Sequence, residues 1–247
     1  MPFINPEDGY LTVLNLFRTD TPQRQDRLLQ EMRAIVDTAA FPGWISSTVH
    51  SGQEKHGTAN FIQWRGKDDL EARYAGDEFK HHTVPVFSEI ATAVKLLQNE
   101  VAYSQRHPSL GDVTEISPDR DDYTVIEILG VAPENQDEMI AIQAAAHDWL
   151  IGTPGYRSQT ILRGKRARSI DGTTGLEGQL SVDNSFVVVY SQWESKEAYD
   201  AFRATPEDEQ PTARRESQAK RDALTTYSEW NTYRVVHTRS AQHATAV

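Results

Sequence analysis

Cysteine is missing altogether from the 247 residues. That removes disulfides, thiolate metal sites and cysteine nucleophiles in one step, and it is compatible with a reducing compartment. Long apolar runs are missing too: the longest, FVVVY at 186–190, is far too short to span a bilayer. The opening residues, MPFINPEDGY, hold neither the basic segment nor the apolar stretch of a secretory signal. The expectation is a soluble, cytoplasmic chain with no membrane partner. Positive charge is scarce, with 25 Lys and Arg against 36 Asp and Glu and a formal charge of -11. Such a balance repels phosphate backbones, so nucleic acid is not an expected partner. A local basic stretch, RGKRAR at 163–168, reads as a solvated hairpin face. No glycine-rich dinucleotide fingerprint follows a strand, no phosphate-binding loop occurs, and no His or acidic pair sits at a convincing metal-ligand spacing. The sequence therefore requires no tightly held cofactor and no metal.

What the chain does contain is one unit written twice. LTVLNLF at 11–17 matches YTVIEIL at 123–129, and PGWISSTVHSG at 42–52 matches PGYRSQTILRG at 154–164 with the same offset of 112. The QW pair at 63–64 returns at 192–193, so the second copy has gained 17 residues. That extra length falls in 165–184, whose Gly, Asp, Asn and Thr content reads as an extended loop or hairpin.

Each copy repeats one order of elements. In the first, residues 10–17 alternate as a strand, and Leu28, Leu29, Met32, Ile35, Val36 and Ala39 recur at helical spacing. A Pro-Gly break precedes strands at 45–51 and 58–65; helical material is expected over 67–97 and a last strand over 100–106. The pattern is βαββαβ, an α+β class with two tandem ferredoxin-like domains forming an internal pseudo-dimer. The expected boundaries are a first domain at 1–106, a linker at 107–121 and a second domain at 122–247.

Alternate residues of a strand share a face. Asn60, Ile62 and Trp64 therefore point one way, as do Leu11, Val13, Asn15 and Phe17. In the ferredoxin-like strand order the first and third strands are adjacent, which brings Asn15 beside Asn60 and Trp64. Asparagine is uncommon in strands and costly to bury unpaired, because its carbonyl and amino groups both require partners. Two amides and an indole around one space thus point to a polar ligand with a flat apolar body.

The strand-one Asn, the strand-three Asn-x-x-x-Trp and the βαββαβ order resemble the antibiotic biosynthesis monooxygenase family, which are dimeric α/β barrel proteins. The resemblance covers both copies as a fold. It implies an oxygenase of aromatic polyketide biosynthesis: an anthrone oxygenase that forms quinones, or a tandem enzyme that cleaves an angucycline ring. It also implies that Asn15, Asn60 and Trp64 are the working residues. By their position near that motif, Tyr74, Arg73, His81, His82 and Phe17 are substrate-binding candidates. Dioxygen is the implied co-substrate; reduced flavin (FADH2 or FMNH2) supplied by a separate reductase is an option, and homodimerisation fits the fold. The second copy departs from the pattern, with Glu127 and Val189 in place of the amides and Trp193 retained. It reads as a structural or pocket-closing half, the alternative being that Glu127 supports different chemistry there.

Two other readings stay open at this level. Related barrels bind haem, and His81 or His82 in a helical stretch supplies a candidate ligand for haem-degrading or chlorite dismutase-like chemistry. A non-catalytic polyketide-binding protein is the other. His50 and His147 read as structural histidines.

Overall fold

The computed structural model describes residues 1–169 and 186–241. Its first half contains β1 (Phe3–Ile4), β2 (Leu11–Arg18), α1 (Pro22–Thr38), β3 (Trp44–Gly52), β4 (Gly57–Trp64), α2 (Lys67–Ala75), α3 (Val84–Ile90) and β5 (Ala93–Arg106). The second contains β6 (Thr114–Glu115), β7 (Tyr123–Val131), α4 (Gln136–Ala145), α5 (His147–Leu150), β8 (Tyr156–Ser169), β9 (Phe186–Trp193), α6 (Lys196–Ala204), α7 (Thr212–Leu224) and β10 (Thr225–Ser240). Within the halves the strand orders are β3-β4-β2-β5 and β8-β9-β7-β10, the ferredoxin-like arrangement. Antiparallel pairing of β5 with β8 and of β10 with β3 joins the two sheets into one closed eight-stranded barrel. Closure leaves neither sheet with a free edge.

Period-two alternation sends one set of side chains into the barrel and the other outward against the helices. Leu14, Phe61, Leu97, Leu162, Phe186, Val188 and Tyr190 fill the interior, all fully buried. His50 lies in the same interior, where its Nε2 meets the Tyr190 hydroxyl of the other half at 2.9 Å. Outside, α1 begins at Thr21, whose hydroxyl accepts from the Arg24 amide at 3.3 Å, with Pro22 in the first turn. It buries Leu28, Leu29, Met32 and Val36 on the sheet.

The repeated Pro-Gly turns have a steric cause. Gly43 and Gly155 both hold positive φ, 74° and 76°. A Cβ on the first would lie 2.1 Å from the Asp69 side chain, and on the second 2.4 Å from the Ala198 Cβ. The repeated glutamines are explained as well. Gln63 accepts from Ser46 Oγ at 2.6 Å and donates to the Phe3 carbonyl; Gln192 accepts from Ser158 Oγ at 2.6 Å and donates to the Glu115 carbonyl. These bonds tie β1 and β6, which pair with each other, to the barrel, and Ile4 and Ile116 enter its core.

Several sequence expectations need correction. Helical material ends at Ile90, and β5 starts at Ala93 instead of 100. Residues 94–99 are all buried, one face inward and one toward the helices, so no alternation marks them as a strand. The 107–121 segment is more than a connection. Thr114–Glu115 is a strand, and Pro118–Arg120 forms a 3-10 turn capped by Ser117, as Asn5 caps Pro6–Asp8. Gly9 and Asp121 end these turns in the left-handed conformation, so residues 115–121 repeat 3–9. RGKRAR lies in β8, which pairs antiparallel with β9, and its charged side chains reach solvent, with Arg163 and Lys165 paired to Glu100 and Arg166 to Glu71. The expected loop at 165–184 begins inside β8, and its residues from 170 onward lie outside the described ones. Among the described residues no helix is long and apolar enough to cross a membrane.

Candidate active site

Pairing of β2 with β4 sets Asn15 directly opposite Asn60, with Trp64 opposite Leu11 at the far end of the same pair. Trp64 lies four positions along the strand from Asn60, roughly 13 Å at a rise of about 3.3 Å per residue. All three side chains line a cavity between the outer face of this sheet and the helical cover, with a volume of about 700 Å³ including its mouth. Met32, Ile35 and Val36 of α1, with Ala39 just past its end, form one wall. Leu70, Arg73 and Tyr74 of α2 and Phe87 of α3 form another, while Phe17 and Leu96 lie on the sheet floor.

The cavity is apolar apart from a few polar groups, and four of those are unpaired. Among the described residues, the Asn15 and Asn60 amide oxygens, the Trp64 indole nitrogen and the Tyr74 hydroxyl are buried without a hydrogen-bond partner. Each such atom costs about 1–3 kcal/mol unless something else satisfies it. Native interiors hold few of them, and four around one cavity mark a place where a ligand completes the bonding. The Trp44 indole, in the same lining, is satisfied by Ser47 Oγ at 3.0 Å. Burial pushes the Tyr74 phenol up to about 12, against the opposing influence of Arg168 and Arg73. It is therefore a neutral hydroxyl, able to donate, across the physiological range.

Aromatic contacts hold the unpaired groups in position. Phe41 stacks on Trp64 with ring centres 6.4 Å apart, and the Arg73 guanidinium lies 4.1 Å from the Phe41 ring. Arg73 is itself fixed by Glu78 at 2.7 Å and by Thr83 Oγ1 at 3.4 Å. Tyr74 packs on Phe79, centres 4.7 Å apart, and Phe17 meets Phe87 edge-on at 5.0 Å.

Of the residues singled out from the sequence, Asn15, Asn60, Trp64, Phe17, Arg73 and Tyr74 meet at this cavity. His81 and His82 do not: both are exposed and outside its lining. Between α2 and α3 the chain makes one wide π-type turn, Phe79–Thr83. It directs Phe79 and Thr83 inward and leaves the two histidines between them facing solvent. No histidine lines the cavity among the described residues. Phe41 and Thr83 are contributors that the sequence reading missed. Phe41 sits just before the Pro-Gly turn, where no periodicity flags it, although an aromatic preceding that turn was a usable hint.

In the second half, Glu127 and Val189 are cross-strand partners in the position of the amide pair. The Glu127 carboxylate is engaged by Arg221 at 2.5 Å and by the Ser228 hydroxyl at 3.0 Å. The paired amides are thus a property of the first half alone.

No family model and no curated protein matches the chain. Among solved structures it is similar to an anthrone oxidase-like protein, with 47% identity, all of both chains covered and a TM-score of 0.90. A protein described as a monooxygenase from Fusobacterium nucleatum shares the fold at 9% identity and a TM-score of 0.61, covering 94% of each chain. Another so described, from Lactobacillus acidophilus, does so at 11% and 0.55, with 94% of this chain and 96% of that one covered. This chain belongs to the anthrone oxidase-like family.

Proposed function

We propose that the protein is an oxidoreductase of the oxygenase type, which uses dioxygen to oxidise a phenolic polycyclic anthrone of aromatic polyketide origin to the corresponding quinone. The observation that carries this reading is the set of four unpaired polar atoms, on Asn15, Asn60, Trp64 and Tyr74, around one apolar cavity. The similarity to an anthrone oxidase-like protein over the whole chain supports the same substrate class.

The chemistry asks little of the protein beyond binding and electrostatics. Loss of a proton from the anthrone CH2 group gives an electron-rich enolate whose charge rests on the carbonyl oxygen. The amide NH2 groups of Asn15 and Asn60 donate to that oxygen and stabilise the enolate as an oxyanion site does, while their unpaired carbonyl oxygens accept from the substrate's phenol hydroxyls and the Trp64 indole and Tyr74 phenol donate to its other oxygens. The enolate passes one electron to dioxygen, and the radical pair recombines to a peroxide at the former CH2 carbon. Protonation and loss of water leave the second carbonyl. One anthrone and one dioxygen become one quinone and one water, so the substrate supplies all the electrons. Rearrangement of the same peroxide would instead cleave a ring bond. Trp64 and Phe41 supply a flat wall for the ring system, and the apolar lining excludes water from the charged intermediate.

The test is aerobic incubation with 1,8-dihydroxyanthrone, following quinone formation by absorbance, with and without reduced flavin. Quinone formed above the uncatalysed rate without flavin is the expected result. Formation only with added flavin would assign the electrons to the flavin, and no acceleration in either case would remove the reading.

A further inference from the structure

The second half keeps a cavity of its own in the place equivalent to the first, about 730 Å³ including its mouth. Its floor carries Glu127, Val189 and Trp193, and its walls are aromatic: Trp149, Tyr156, Tyr199 and Phe202 join Trp193. Phe202 packs on Trp193 with centres 4.8 Å apart and lies nearly parallel to Trp149, 16° between planes. A flat guest suits such walls.

The polar groups in this lining are as incomplete as those in the first half, but of a different kind. Among the described residues, Trp149 Nε1, Gln159 Oε1 and Arg221 Nε are buried without a hydrogen-bond partner. Gln159 is only 4% exposed, and its amino group makes one long bond, 3.4 Å, to Gln143. Two orphan donors and one orphan acceptor thus line one aromatic cavity. The charged residues of the lining, Glu127 and Arg221, neutralise each other at 2.5 Å, so the cavity selects no net charge. A structural half that merely closed the first pocket would be free to fill this space with apolar side chains, removing the desolvation cost of each orphan.

From this combination we propose that the second half is a separate binding site for a neutral, planar aromatic bearing both carbonyl and hydroxyl groups. Ring carbonyls accept from Trp149 Nε1 and Arg221 Nε, and a ring hydroxyl donates to Gln159 Oε1. With Glu127 and Val189 where the first half has paired amides, the site binds without the donor cluster that stabilises an enolate.

Calorimetric titration of the full chain with 2,6-dihydroxyanthraquinone at mildly acidic pH tests this, because the probe carries both kinds of group and is already oxidised. Two bound probes per chain are expected. Gln159→Leu should weaken one of them at least tenfold and leave the other; Asn60→Leu should do the reverse. Trp149→Phe, which retains the stack on Phe202, should reproduce the Gln159→Leu pattern if that variant folds poorly, and circular dichroism decides whether it does. Anthraquinone without hydroxyls should fill the second site at least tenfold more weakly. A single binding event sensitive only to Asn60→Leu would overturn the second site while leaving the oxygenase reading intact. No binding at all, or two events indifferent to Gln159→Leu and Trp149→Phe, would overturn it equally.

Discussion

Asn15 and Asn60 face each other across β2 and β4, and neither amide oxygen has a hydrogen-bond partner among the described residues. Two amides at Cα-partner positions are well placed to satisfy each other, which is the usual resolution for buried polar groups. That they do not, and that Trp64 and Tyr74 beside the same cavity are also unpaired, separates this arrangement from ordinary core packing.

One consequence concerns stability. Replacing Asn60 with Leu removes an unsatisfied acceptor and adds apolar contact in a site already lined by Ile62 and Leu96. The variant should be as stable as the parent or more so, by up to about 1–2 kcal/mol. Chemical denaturation measures it; a loss of several kcal/mol would mean that the amide holds the fold.

Tyr74 gives a second expectation. Burial holds its phenol up at about 12, so it stays protonated throughout the working range. Tyr74→Phe should therefore lower turnover about tenfold, the worth of one hydrogen bond of roughly 1.4 kcal/mol, without changing the shape of the rate profile between neutral pH and mildly alkaline pH. A variant that abolished an alkaline limb of that profile would show instead that Tyr74 titrates.

Stability toward acid follows from His50. Its Nδ1 is placed to donate to the Thr48 and Ala59 carbonyls, each at 3.2 Å, while Nε2 accepts from the Tyr190 hydroxyl. Complete burial lowers its pKa from 6.5 to about 4, outweighing the two carbonyl contacts. The unfolded chain thus binds a proton in a range where the folded chain does not. The contribution is fully present above 6.5 and falls away as the pH drops toward 4, by on the order of 3 kcal/mol. Denaturation curves between those limits should show that slope, and His50→Gln should flatten it.

The two Pro-Gly turns give a paired expectation. Gly155→Ala forces a methyl into Ala198 and a side chain into the left-handed region, and Gly43→Ala does the same against Asp69. Each should cost about 1–3 kcal/mol in denaturation experiments. A neutral result at both would mean that these turns relax freely.

Legibility in the sequence followed the physics of each segment. The repeat, the strand order and the facing of Asn15, Asn60 and Trp64 were readable because period-two alternation and a constant offset survive in β2, β3 and β4. At β5 the reading failed: a barrel strand packed on both faces loses its alternation, so KLLQN reads as helix. The extension of the repeat to FINP and EISP was present in the letters, but four residues with two identities do not stand out without the shared left-handed turn end. Arg73, Tyr74 and Phe17 were within reach because they lie near the motif. The outward facing of His81 and His82 depends on one wide helical turn that no spacing rule anticipates.

The central claim is that the amide pair stabilises an anionic substrate at the point of reaction with dioxygen. Oxygen uptake with 1,8-dihydroxyanthrone, compared between the parent chain and folded Asn15→Leu and Asn60→Leu variants, tests it most directly. A fall of about 10²- to 10³-fold in each variant is expected, the size seen when a preorganised oxyanion donor is removed. Uptake unchanged in both, with the fold verified, would contradict the claim.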